Sequence, residues 1–124
     1  MNKEYEFKLI VAGGRDFNDY QLLGQSLDKL VSELPEEAQV SIVSGMARGA
    51  DALGVRFAIK HNVILHRFPA DWDKYGKAAG YRRNADMGAI ADGLIAFWDE
   101  KSKGTQHMIN IMNQLNKLVV VVTY

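Results

Sequence analysis

The chain of 124 residues contains no cysteine. This absence excludes disulfide bonds, thiol nucleophiles and thiolate metal ligands, and it fits a reducing compartment. No apolar run approaches the ~20 residues that span a bilayer, and the amino-terminal residues MNKEYEFKL lack the apolar segment of a secretory signal. We therefore expect a cytoplasmic protein that makes no membrane contact.

The chain also lacks an excess of charge of either sign, because 15 lysines and arginines balance 15 aspartates and glutamates. No overall field would then attract nucleic acid, and any site for an anion must be local. The histidines, His61, His66 and His107, share no metal-ligand spacing. The composition therefore argues against nucleic acid as a partner, and we expect neither a metal nor a resident cofactor.

Only two prolines interrupt the sequence, and both lie between apolar segments. Five short apolar runs, rich in β-branched residues, have the near-continuous character of strands that are buried on both faces. They cover residues 7–12, 40–44, 63–68, 93–98 and 118–123. Because 48% of the residues are hydrophobic, a chain of this length can form one compact core, and we expect a single domain over residues 1–124.

Segments with helical spacing separate these runs. The first helix is predicted to follow Asn18 as its N-cap, and further helices are predicted at about residues 50–60, 77–91 and 105–116. Alternating strands and helices predict a Rossmann-like α/β domain, with a five-stranded parallel sheet and helices on both faces. Ligands of such sheets bind beyond the carboxyl ends of the strands.

The loop GGRDF follows the first predicted strand at that edge. Gly13 and Gly14 would let backbone amides approach an anion, and the planar guanidinium of Arg15 suits phosphate or carboxylate. A tight turn between strand and helix, with Arg15 in solvent, is the alternative. The glycines alone do not decide, because the spaced GxGxxG of dinucleotide folds is absent.

The segment SKGTQH opens the last predicted helix. The first amides of a helix lack intrahelical acceptors and carry partial positive charge, so Ser102, Gly104 and Thr105 could cradle a phosphate. Alternatively, one of the two hydroxyls only caps the helix.

The motif SGMARGAD brings Ser44, Gly45 and Asp51 to the start of the second helix. There Asp51 could complement the helix dipole or accept hydrogen bonds from a ribose.

The segment AGYRRNADM contains Arg82 and Arg83 on different sides of a predicted helix, followed by Asn84. We expect one of the two arginines to face the ligand edge and the other to face solvent. Several aromatic residues occur at the same edge and could stack against a base, namely Trp72, Tyr75, Tyr81 and Trp98.

The motifs AGGRDF, SGMARGAD, FPADWDKYGKAAGYRRNADM and FWDEKSKGTQH occur in this order at successive strand ends. Together they resemble the SLOG superfamily, and within it the YspA-like and YpsA-related group of bacteria and their phages. The resemblance covers nearly the whole chain. It implies the strand order 3-2-1-4-5 and a nucleotide or nucleotide-derived ligand as partner. AGGRDF and KSKGTQH would then face each other across one crevice, and pairing as a homodimer through the second and third helices is also implied.

The superfamily includes the LOG phosphoribohydrolases, whose PGGxGTxxE loop binds phosphate and supplies a glutamate. Gly104 and Thr105 match the GT pair, but Met108 stands where the glutamate would be. Whether the chain is an enzyme therefore stays open. Three aspartates could replace the missing carboxylate in catalysis, and nothing in the sequence selects among Asp51, Asp86 and Asp99.

Three functions follow from these observations. The preferred hypothesis is a module that binds or senses a nucleotide-derived ligand, whose phosphate is held by the glycine-rich loops. The alternative is a nucleoside 5'-monophosphate phosphoribohydrolase, an N-glycosidase of the LOG type. The second alternative is a single-stranded nucleic-acid binder similar to DprA, which aromatic and arginine side chains would suit but the zero net charge does not.

Overall fold

A computed structural model describes residues 3–124 of the chain. Its five strands form one sheet in the order β3-β2-β1-β4-β5, and every neighbouring pair is parallel. The elements follow one another as β1 (Tyr5–Gly13), α1 (Tyr20–Ser32), β2 (Ala38–Ser44), α2 (Ala50–Lys60), β3 (Leu65–Arg67), α3 (Trp72–Tyr75), a 3₁₀ turn (Gly76–Ala78), α4 (Ala79–Ile90), β4 (Gly93–Trp98), α5 (Lys103–Gln114) and β5 (Leu118–Thr123). The predicted Rossmann-like fold and strand order are confirmed.

The central strand β1 is buried on both faces, which explains its continuous apolar sequence. Leu9 and Val11 point to one face, where α1 and α2 cover them, with Leu27 and Phe57 in the same cluster. Ile10 and Ala12 point to the other face. A second cluster there joins them to side chains of α4 and α5, namely Met87, Met108, Ile109 and Met112. The helices thus lie on both faces of the sheet, as predicted.

The direction of the chain reverses between β1 and β4, and this reversal opens the sheet at its carboxyl edge. From β1 the chain moves outward through β2 to β3, and it then returns to pair β4 with the opposite side of β1. The loops after β1 and β4 therefore diverge to opposite faces. The two strands end in register, with Gly13 opposite Phe97.

Three predicted helix limits differ from the structure. Asp19, and not Asn18, caps α1, because its carboxylate accepts a hydrogen bond from the Leu22 amide at 3.0 Å. The helix predicted at residues 77–91 begins later, because Gly76–Ala78 form a 3₁₀ turn and α4 covers Ala79–Ile90. The last helix begins two residues earlier than predicted, since Ser102 is its N-cap.

Among residues 3–124, no helix combines the length and the apolar character that crossing a bilayer requires.

We predict that Gly49→Ala destabilises the fold. Gly49 has a φ of 75°, and an added Cβ would collide with the backbone of Gly14 and Arg15. Strain and overpacking together should lower the free energy of unfolding by about 3 kcal/mol. Gly24→Ala is the matched control, because Gly24 lies within α1 with open space around it in the described structure. It should raise stability by up to ~1 kcal/mol. Equal effects of the two changes in urea denaturation would contradict this account.

Candidate functional site

A cleft of about 420 Å³ lies at the carboxyl edge of the sheet, where the loops after β1 and β4 diverge. Its walls come from the loops after β1, β2 and β4 and from the first turns of α4 and α5. The lining residues are Ala12, Gly13, Gly14, Arg15, Asp16, Ala47, Asp51, Arg83, Asn84, Met87, Asp99, Ser102, Gly104, Thr105 and Met108. The structure thus places GGR and SKGT against one cavity, as the sequence predicts.

The two glycines after β1 have structural reasons to be there. A Cβ at Gly13 would collide with the carbonyl oxygen of Phe97. The Gly14 amide donates to that same oxygen at 3.0 Å, and the Gly14 carbonyl accepts from the amides of Phe17 and Ala50. The amide of Gly14 is therefore not free to bind an anion, and in this loop Arg15 is the group that remains available.

Tyr124 fixes the side of the cleft next to this turn, and the sequence reading missed it. Its hydroxyl donates to Asp16 at 2.5 Å and lies where a Cβ of Gly14 would be. Its ring meets that of Phe17 edge to face at 4.9 Å between centroids. Burial and the hydrogen bond to Asp16 raise the pKa of the Tyr124 hydroxyl, so it stays protonated and keeps Asp16 oriented.

Of the two adjacent arginines, Arg83 faces the cleft. Its half-buried guanidinium donates to the carbonyl oxygen of Gly45 and, through Nε, to Oδ1 of Asn84 at 3.0 Å. A Cβ at Gly45 would lie 2.6 Å from Arg83 Nη1 and 2.9 Å from Asp51 Oδ2. Gly45 thus leaves room for both charged groups, and this close approach explains a glycine in SGMARGAD.

Asn84 lines the cleft, but its polar atoms are occupied by the protein. Its Nδ2 donates to the carbonyl oxygen of Gly104 at 3.3 Å and to Nδ1 of His107 at 3.2 Å, while Oδ1 accepts from Arg83. Burial lowers the pKa of His107, which agrees with a neutral ring whose Nδ1 accepts the hydrogen bond from Asn84. Asn84 therefore ties α4 to α5 and leaves ligand contact to its neighbours.

Four predicted site residues do not line the cleft, namely Ser44, Gly45, Arg82 and Asp86, and of these Gly45 lines an adjoining cavity. The guanidinium carbon of Arg82 lies 4.2 Å from the centre of the Tyr75 ring, and Arg82 and Asp86 line a neighbouring groove that Arg83 also borders. Arg82 and Asp86 are four residues apart and share one side of α4, whereas Arg83 and Met87 share the side, turned by about 100°, that lines the cleft. Ser44 is fully buried, and its hydroxyl donates to the Asp51 carbonyl and accepts from the Met46 amide. These two hydrogen bonds of the Ser44 hydroxyl stabilise the loop between β2 and α2.

Asp51 is the most buried carboxylate of the cleft, with 5% of its surface exposed. Burial raises its pKa to about 6, although the Ala47 amide and the charges of Arg83 and Arg15 act in the opposite direction. The Ala47 amide donates to Oδ2 at 3.3 Å. Asp51 is therefore poised to gain or lose a proton near neutral pH.

The loop after β4 carries a second carboxylate, Asp99, whose pKa is shifted in the opposite direction from that of Asp51. Oδ1 of Asp99 accepts from the amides of Lys101 and Ser102, both at 2.8 Å, and these bonds lower its pKa. Ser102 in turn caps α5, since its hydroxyl contacts the Thr105 hydroxyl at 3.0 Å and the Thr105 amide at 3.4 Å. The capping alternative thus holds for Ser102, and Asp99 stays ionised at the cleft.

Gly104 differs from the other cleft glycines. An added Cβ would meet no atom within 4 Å in the described part of the chain, so packing does not require a glycine here. The residue lies in the first turn of α5, whose amides lack intrahelical acceptors. Ser102 caps the Thr105 amide, so the Gly104 amide, with open space beside it and the charged cleft nearby, is the group that an anion at this helix start would contact.

The charges of the cleft are mixed. Arg15 and Arg83 supply positive charge, and three carboxylates, Asp16, Asp51 and Asp99, line the same space. A bare anion gains little from such a balance, because the carboxylates repel it. A ligand with one anionic group and several hydroxyl donors satisfies both sets, because hydroxyl groups donate to carboxylates and phosphate accepts from guanidinium groups.

The histidines are dispersed in the structure. His66 pairs with Glu6 at 2.6 Å, His61 contacts the Phe57 ring, and His107 contacts Tyr81 and Asn84. Within residues 3–124, no group of three histidine, aspartate or glutamate side chains is arranged to hold a metal ion.

These features define a Rossmann-like α/β protein with a charged cleft at its topological switch point. Residues 7–75 match the sequence pattern of the YspA, cpYpsA-related SLOG family. The Gene 61 protein of Mycobacterium phage D29 is 35% identical over 107 residues, which cover 81% of this chain and 83% of that protein. The chain belongs to the YspA, cpYpsA-related SLOG family. Membership supports a role related to nucleotide-type, small-molecule ligands.

We predict a pH-dependent stability that depends on Asp51. Its folded pKa of about 6 exceeds the ordinary value of 3.8, so the folded state binds the proton more tightly than the unfolded state. The contribution of Asp51 to the free energy of unfolding should then fall as the pH rises from 4 to 6, by on the order of 3 kcal/mol. Asp51→Asn removes this contribution, so the difference in stability between variant and parent should change across that range. Parallel pH profiles in urea denaturation would show that Asp51 titrates normally.

Proposed function

We propose that the protein binds a nucleotide-derived ligand in the cleft beyond the carboxyl ends of β1 and β4. The observation that carries the proposal is the convergence of Arg15 and Arg83 with three carboxylates in one cavity at the switch point of the sheet. Family membership supports the same class of ligand. A volume of about 420 Å³ falls within the range of small-molecule sites.

The proposed binding mode follows the distribution of donors and acceptors. The guanidinium groups of Arg15 and Arg83 contact a phosphate, with the first amides of α5 near Gly104 on the opposite wall. Ribose hydroxyls donate to the carboxylates of Asp51 and Asp99. The apolar floor of the cleft is formed by Ala12, Met87 and Met108.

We predict that Arg15→Ala weakens the binding of a nucleoside 5'-phosphate. Loss of one charged hydrogen bond costs ~1.5–3 kcal/mol, or about ten- to 150-fold in Kd. Arg15 is exposed and not required by the core, so the fold should persist. Isothermal titration calorimetry against a panel of nucleoside phosphates and ADP-ribose-like compounds measures the effect.

Arg82→Ala is the matched control for this experiment, because it removes an equal charge from the same edge but outside the cleft. Its Kd should stay within about twofold of the parent. The proposal fails if no compound of the panel binds to ligand-free protein, or if Arg15→Ala binds as tightly as the parent.

A second function, hydrolysis of an N-glycosidic bond, is favoured by two carboxylates whose pKa values are shifted in opposite directions. Burial raises the pKa of Asp51 to about 6, while amide hydrogen bonds lower that of Asp99. Such a pair can divide acid and base roles. In the reaction, Asp51 would protonate the leaving base, and Asp99 would take a proton from the water that adds to C1' of the ribose.

We predict, for this second function, that the protein releases free base from a nucleoside 5'-monophosphate and that Asp99→Asn abolishes the release. Chromatographic separation of base and ribose phosphate measures it. The Asp86→Asn variant is the control, since Asp86 lies outside the cleft, and it should react at the parent rate. Absence of free base at saturating nucleotide would exclude hydrolysis and leave the binding proposal intact.

A further inference from the structure

Two smaller cavities open beside the cleft and share its two arginines. One, of about 270 Å³, extends past Gly45 to Arg48, and the other, of about 240 Å³, extends to Lys77 and Tyr81. The indole of Trp72 lines both. The side chains of Arg48, Trp72, Lys77 and Tyr81 are called the outer rim below.

The outer rim and the cleft differ in charge. The cleft balances two arginines with three aspartates. Among the described residues that line the two smaller cavities, none is acidic, and each cavity adds a cation, Arg48 or Lys77, to the shared arginines. An excess of positive charge next to the proposed site of one phosphate favours a further anionic group of the same ligand.

Trp72 gives the outer rim a surface for an aromatic or sugar group. Its side chain is 52% exposed, which is a large apolar area to leave in water. A Cβ at Gly80 would lie 3.5 Å from Cη2 of Trp72 and 3.9 Å from Nη2 of Arg83. The edge of the indole therefore lies close to the guanidinium that the cleft and both smaller cavities share.

We infer that the ligand carries at least two phosphate groups. The first lies between Arg15 and Arg83, and the next is bound at the outer rim by Arg48 or Lys77, beside the indole of Trp72. This inference rests on the proposed function and narrows it. It selects a ligand of the nucleoside diphosphate type over a nucleoside monophosphate, because a monophosphate would leave the cations of the outer rim without a partner.

Calorimetric titration of ligand-free protein with AMP, ADP, GMP and GDP tests the inference, in a buffer with chelator so that no divalent ion masks the phosphates. At least one diphosphate should bind about tenfold more tightly than its monophosphate. Arg48→Ala or Lys77→Ala should remove most of that difference while changing monophosphate affinity less than about threefold. Arg82→Ala, which also removes a cation near α4, should preserve the difference.

The outcomes separate this inference from the proposal on which it rests. If monophosphate and diphosphate bind equally well, the cleft is a nucleotide site and the outer rim takes no phosphate. If neither binds, both proposals fail. An equal loss in Arg48→Ala, Lys77→Ala and Arg82→Ala would reveal a general effect of surface charge and would also overturn the assignment of the outer rim.

Discussion

The guanidinium of Arg83 joins the segments that form the cleft. It donates to the carbonyl oxygen of Gly45 on the loop after β2 and to Asn84, whose amide continues to Gly104 at the start of α5. These bonds connect α4 and α5 on one face of the sheet with the β2–α2 connection on the other. Burial lowers the pKa of Arg83, and the nearby carboxylate of Asp51 compensates. The relative positions of these three segments at the cleft therefore depend on this half-buried charge.

The charge of Arg83 also affects the protonation of Asp51. Asp51 is ionised or neutral according to how strongly Arg83 and Arg15 offset its burial, so its proton can respond to a bound anion. A phosphate between the two arginines would neutralise part of their positive charge and so favour the protonated form of the Asp51 carboxyl group. Ligand charge and the protonation of Asp51 are thus coupled in the proposed site, whether or not a reaction follows.

The fold was predictable from the sequence because the inner strands β1, β2 and β4 are largely buried and therefore apolar. The edge strands β3 and β5 are partly exposed, so the expectation of burial on both faces was wrong for these two. The family resemblance implied the strand order. In that order β1 and β4 are neighbours, so the GGR and SKGT segments that follow them lie close together. The predicted N-cap Asn18 was wrong because neighbouring polar residues compete as caps, and the predicted helix start at residue 77 was wrong because a 3₁₀ turn precedes α4. Tyr124 was missed because its partner Asp16 is 108 residues away. No local pattern records such a contact, and none distinguishes Arg83 from Arg82 before the phase of α4 is known.

The most direct test of the central claim is an NMR titration of labelled protein with nucleoside 5'-phosphates, following backbone amides and arginine Nε signals. The account predicts saturable shifts that are largest for Arg15, Arg83 and the amide of Gly104. Largest shifts at the apolar groove between α1 and α2, near Leu27 and Phe57, would contradict it, as would the absence of any saturable change.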